Sequence, residues 1–200
     1  FYRAITCYKK ALFLLSEDVN NLKVQEHIEY DILLSYFLSN HYNEVVEVFE
    51  QSSLQNVSSK SFKPYKQLLC QLIDAYFRRG QSIKTYALML LLQNESPILS
   101  YKMRQYQNFM GFQLEALQNE NERIISQIQR NEKDDVFYAQ AKPCAESILQ
   151  FTKLYKDNIK SQTKAEILNA VLPGAGYMYV GQPKSAVTSF LLNTLFIASA

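Results

Sequence analysis

Five side chains in this chain of 200 residues are of the types that most often do covalent or metal chemistry: His27, His41, Cys7, Cys70 and Cys144. Histidine supplies acid–base catalysis near neutral pH, and a cysteine thiolate supplies a nucleophile or a metal ligand. Both uses need close partners. The three cysteines lie far apart and no two have the spacing of a zinc site. His27 falls in a helical pattern and His41 in a turn, and neither has a Ser or Cys partner nearby in sequence. All five read as structural or surface residues. Asp134-Asp135 and the pair Glu120 and Glu122 read as solvated loop or cap charges rather than as an acid–base pair. Two glycine patterns also fail. Gly174-x-Gly176 followed by Gly181 places its third glycine two residues too late for a dinucleotide fingerprint, and no strand precedes it. Gly176-x-x-x-x-Gly181 has phosphate-loop spacing, but Gln182-Pro183 stands where Lys-Ser/Thr would hold the phosphates. The expectation is a protein that is not an enzyme and needs no metal or other cofactor, with no small-molecule substrate.

Composition turns the question to architecture. Only five Gly and five Pro occur, which disfavours turn-rich β folds and favours helices. The net charge of +2 comes without a long basic stripe, so nucleic acid is not an expected partner. The sequons Asn56-Val57-Ser58 and Asn94-Glu95-Ser96 would matter only in a secreted eukaryotic protein. The chain opens at Phe1 inside a helical pattern and closes at Ala200 inside an apolar run, so it reads as a piece of something longer.

A repeat runs through the first half. Ile32, Leu33 and Tyr36 share one helical face, Ser39-Asn40-His41 breaks it, and Tyr42, Val45, Val46 and Phe49 form a second stripe. The same order returns as Leu72, Ile73 and Tyr76, a break at Arg78-Arg79-Gly80, then Ile83, Thr85, Met89 and Leu90. Thirteen residues separate Tyr36 from Phe49 and Tyr76 from Met89. An earlier block shows a second helix alone, with Phe1, Ala4, Tyr8 and Ala11. The pattern resembles the tetratricopeptide repeat, in which Tyr36 and Tyr76 match the aromatic, Gly80 the turn glycine and Pro97 the closing proline. Ala4 with Tyr8, and Val45 with Phe49, match the second-helix pair, and Ala11 the small residue one turn on. Departures are Leu33 and Ile73 for the small residue, Asn40 for the turn glycine and Thr85 for an alanine. The interval from Tyr36 to Tyr76 is 40 residues, against a family period of about 34. The Ser/Asn-rich stretch Gln51 to Ser61 accounts for the excess. An ordinary helical bundle would share this periodicity.

Stacked helix pairs leave a second stripe on their concave side. Here it comprises His27, Tyr30, Leu34 and Phe37, then Gln67, Cys70, Asp74, Phe77 and Arg78. Tyr, Phe and Arg are typical anchors for a protein partner, and cover by a neighbouring helix is the other reading of Tyr30, Leu34 and Phe37.

Residues 98–131 carry further helical spacing at Met103, Tyr106, Met110, Leu114 and Leu117, then Ile124, Ile125 and Ile128. They fit a degenerate repeat or a capping pair. A charged break at Asn131 to Asp135 precedes Pro143, which suits the first turn of a new helix with Ile148, Leu149, Phe151, Thr152 and Tyr155 along one stripe. Lys153, Lys156, Lys160 and Lys164 then face only Asp157, either as a solvated face or as the basic flank of a membrane segment.

From Ile167 to Ala200 the single charge is Lys184. Two apolar stretches, Ile167 to Val180 and Ala186 to Ala200, flank Gly181-Gln182-Pro183-Lys184. The first is too short to span about 30 Å of hydrocarbon. Pro173, Gly174, Gly176, Tyr179 and Gly181 resemble the Pro-Gly-x-Gly-x-x-Tyr-x-Gly pattern of short bacterial membrane-hairpin families. That resemblance covers about 35 residues and implies membrane association through 165–200, whereas a hairpin buried in a globular core is the other reading. The combined expectation is an all-α chain: tetratricopeptide-like antiparallel helix pairs over 1–97, further helices over 98–164 and an apolar helical hairpin over 165–200. Its expected role is a scaffold that binds a protein partner at a bacterial envelope membrane. Alternatives are a secretion or envelope-assembly component acting through the hairpin, or the recruitment module of a membrane enzyme lying beyond Ala200.

Overall fold

A computed structural model of the chain describes residues 2–15, 21–130 and 136–198, and side chains as far as 193. All regular structure among them is helical: α1 (Tyr2–Leu15), α2 (Leu22–Leu38), α3 (Tyr42–Gln51), a 3₁₀ turn (Ser53–Asn56), α4 (Tyr65–Arg78), α5 (Ser82–Glu95), α6 (Pro97–Met110), α7 (Leu114–Arg130), α8 (Val136–Asn158), α9 (Gln162–Val171), α10 (Ala175–Tyr179) and α11 (Pro183–Ala198). The chain divides into two units, Phe1–Ile148 and Leu149–Ala200. Phe1 and the break predicted at Asn131 to Asp135 lie outside the described residues.

In the first unit each helix packs on the next, from α1 through α7, so adjacent pairs form a repeat-like stack. Its core is passed along the chain in three clusters. Leu33, Val45, Val46, Leu54, Phe62, Leu68 and Leu72 join α2, α3 and α4. Leu69, Ile73 and Leu92, with Leu99 and Met103, join α4, α5 and α6. Tyr101, Ile124, Ala141 and Ala145 join α6, α7 and the start of α8. The expected stripes of α2 and α4 are inside, with Leu33, Leu72 and Ile73 fully buried. On α1 the buried residue is Ile5, one place along from Ala4, which is exposed. On α5 the inward residues are Thr85 and Leu92, whereas Ile83 is 88% exposed. That helix is apolar on nearly every side, so its spacing could not orient it.

The same turn closes three of these pairs. After α2, Asn40 takes φ 61° and the His41 N–H donates to the Tyr36 carbonyl over 2.9 Å. After α4, Gly80 takes φ 70° and Gln81 N–H donates to Tyr76, again over 2.9 Å. After α6, Phe112 takes φ 53° and Gln113 N–H donates to Asn108 over 2.8 Å. This is the left-handed helix ending in which a late N–H satisfies an open carbonyl of the last turn. Gly111 stands one place too early to serve, so a phenylalanine occupies the left-handed position, 83% exposed.

The Ser/Asn-rich stretch between α3 and α4 is an ordered plug. Leu54, Val57 and Phe62 sink into the first cluster. The buried Glu29 carboxylate accepts from Ser53 N–H (2.9 Å) and from the Ser53 hydroxyl (2.6 Å), which caps the 3₁₀ turn. Pro143 lies inside α8 rather than in its first turn. Proline removes the N–H that would reach the Ala139 carbonyl, and Ala139 lies exposed to solvent.

After α8 the second unit consists of α9, α10 and α11, the apolar stretch before Gly181 forming its first arm. Its first arm is divided into α9 and α10 at Leu172-Pro173-Gly174, because Pro173 lacks a donor and Gly174 takes φ 96°. No helix among the described residues is long and apolar enough to cross a membrane.

Glycine and phenylalanine at equivalent turns give a paired test. Gly80→Ala should lower the unfolding free energy measured in urea by about 1 kcal/mol, since its surroundings are open and strain is the sole cost. Phe112→Gly should raise it by about 0.5–1 kcal/mol, because relief of strain outweighs the added freedom of the unfolded chain.

Candidate functional site

The residues predicted to face a partner are distributed over two situations. His27 and Tyr30 of α2 set their rings edge-on to Phe62, at centroid distances of 5.2 and 5.5 Å. Tyr30 also accepts weakly from the Gln71 amide (3.4 Å), and burial raises its pKa. Phe37 meets Tyr42 edge-on at 5.9 Å, and Leu34 is half-buried. On α4, Gln67 is exposed, Cys70 half-buried and Asp74 buried. Asp74 accepts from Arg78 at 3.0 Å, and Arg78 also donates to the Tyr106 hydroxyl at 2.7 Å while lying 4.7 Å above the Tyr42 ring. That one guanidinium ties α3, α4 and α6 together. Tyr42 and Tyr106 were not among the predicted contacts, because an aromatic in an apolar stripe carries no signal of a cation beside it.

The histidines are each engaged. His41 donates through Nδ1 to the Ser39 carbonyl (2.8 Å), which leaves Nε2 to accept from the Tyr2 hydroxyl (3.0 Å). His27 donates to the Lys23 carbonyl over 2.7 Å. Among the described residues no three His, Cys, Asp or Glu side chains gather to hold a metal.

An open groove of about 450 Å³ runs along α5 and α6. Phe77, Tyr86, Met89 and Leu90 form its apolar walls, and Arg104 and Gln107 its polar side. Arg104 is held by Glu120 (3.2 Å), which also accepts from Gln105 (2.7 Å). The Gln107 side-chain nitrogen is buried without a hydrogen-bond partner. Phe77 alone of the predicted partner-facing residues lines this groove. The others were missed because α5 is apolar all round, so its outward stripe has no contrast.

In the second unit the five motif residues have specific placements. Asn169 of α9 accepts from the N–H groups of Gly174 (3.1 Å) and Gly176 (3.0 Å), so its side chain caps α10. A Cβ at Gly176 would overlap the Ala165 carbonyl oxygen, and one at Gly174 would overlap that of Ala186. Gly181, at φ 85°, repeats the turn of the first unit: Gln182 N–H donates to Tyr177 over 2.8 Å. Tyr179 accepts from Ser161 N–H through its hydroxyl (3.3 Å), while Lys160 lies 5.5 Å above its ring and donates to its carbonyl. Pro173, Met178, Tyr179, Ala186, Phe190 and Leu191 line an apolar groove of about 510 Å³. Asn169 carried no signal in the sequence beyond being a polar residue in an apolar stretch.

Comparisons with protein-family models, with curated proteins and with solved structures find no match.

Burial raises the Cys70 thiol to about 11, whereas Cys7 lies at the surface. Iodoacetamide at about pH 8 should therefore modify Cys7 first, and Cys70 only as pH approaches its raised value or the fold opens. Mass spectrometry of the labelled peptides reads the order.

Proposed function

We propose that this chain is a non-catalytic scaffold of tetratricopeptide type, in which the helix pairs hold a protein segment and the C-terminal unit attaches the molecule to a membrane of the bacterial envelope. The observation that carries the reading is the inverted apolarity of the second unit. Its close contacts are made by Gly174, Gly176 and Ala186, whereas Ile167, Val171, Met178, Val187, Phe190 and Leu191 point outward and exposed. Water penalises such an arrangement at about 25 cal/mol per Å² of apolar surface. Hydrocarbon does not, and small residues at helix contacts with large ones outside are how helices pack in lipid. The break at Pro173-Gly174 divides the first apolar stretch into α9 and α10, so for that stretch an attachment lying in the interface or re-entering it fits better than a span. The three like turns at Asn40, Gly80 and Phe112 support the repeat assignment. For the held segment, the groove on α5 and α6 offers apolar walls beside a polar side, which suits a short apolar peptide.

Two measurements test the reading. After expression in bacteria, the chain should remain with membranes through alkaline carbonate and leave them in detergent. Recovery in the carbonate wash alone would remove the attachment. Gly176→Leu, which drives a side chain into Ala165, should move most of the protein out of the detergent fraction with the first unit's helicity retained. Met89→Lys with Leu90→Lys should lower recovery of any co-purified partner about tenfold or more, as expected for charges placed in an apolar anchor site. Unchanged recovery would clear that groove of the role.

A further inference from the structure

We infer that the second unit recognises an anionic lipid surface, using a basic end that flanks its apolar face; this rests on the membrane attachment proposed above. From Leu149 onward the chain has five lysines against Asp157 and Glu166, although the whole protein is nearly neutral at +2. Three of those lysines collect at one end. Lys160 is fixed by its bond to the Tyr179 carbonyl, at the close of α10. Lys164 lies in the first turn of α9, whose capping residue Ser161 touches the Tyr179 hydroxyl over 3.3 Å. Lys184 is the second residue of α11, which begins four residues after Tyr179. The exposed residues Val171 and Leu172 end α9 away from that point, and Phe190 and Leu191 lie further along α11. An ammonium held beside an aromatic ring at the rim of an apolar groove is placed as an interfacial anchor is: rings and aliphatic groups enter the acyl boundary and cations stay among headgroups. Lysines near an anionic leaflet add attraction that falls away with salt.

Flotation of the full chain with vesicles separates bound protein from aggregates. The expected result is strong flotation with phosphatidylcholine–phosphatidylglycerol vesicles and weak flotation with phosphatidylcholine alone. Lys164→Gln with Lys184→Gln, both exposed and outside the contacts that fix Tyr179, should lower the partition coefficient for the anionic vesicles about tenfold to a hundredfold at low salt. High salt should have a similar effect on the parent chain. Equal flotation with both vesicle types overturns the inference and leaves the attachment standing. Flotation with neither overturns both, and marks the apolar face as one covered by protein.

Discussion

Unit one depends on a single packing constraint: its short helices cannot bury their apolar surface by pairing once. Each must be covered on two sides, so the interior is shared between successive pairs. Tyr65 and Leu88 show the sharing directly, since both pack against the first cluster and against the second. Leu33, Leu72 and Leu92 are fully buried, and each such side chain contributes about 1.5–3 kcal/mol. The turns at Asn40, Gly80 and Phe112 return the chain at the angle that this sharing requires. Polar groups then fasten neighbours where apolar contact is thin. Buried Asn121 accepts from Tyr101 and donates to Gln105 (2.7 Å) and to the Leu117 carbonyl (2.6 Å), joining α6 to α7.

The second unit obeys a different constraint, close backbone approach. Glycines and alanine bring α9, α10 and α11 together, and Asn169 settles the N–H groups that the break at Pro173 would otherwise leave open. Large side chains have no room inside and are displaced to the surface. Two solutions to helix packing therefore stand in one chain, one with its bulk inside and the other with its bulk outside.

Helices with an apolar stripe against a polar remainder were legible in the sequence, and α2, α3 and α4 fall where Ile32, Val45 and Leu72 place them. Contrast was the deciding factor. The uniformly apolar α5 hid its outward face, and with it the groove. Composition marked Gln51 to Ser61 as an insert but did not show that Leu54 and Val57 within it, with Phe62 just after, plug the core. The turn after α6 left no such mark, because a phenylalanine, Phe112, takes the left-handed position where propensity favours glycine. The glycine motif was visible, but its cause was not. The Ala165 and Asn169 contacts that require Gly176 come from a helix that single-residue spacing cannot bring into view.

Passing the core from pair to pair has a mechanical consequence. Each cluster in the first unit joins a few successive helices, so a tension applied along the chain would load the clusters one after another. Pairs would peel in turn, each yield costing the contacts with one neighbour, and would re-form locally when the load is removed. Under load such a stack would lengthen in steps, as an elastic spacer does.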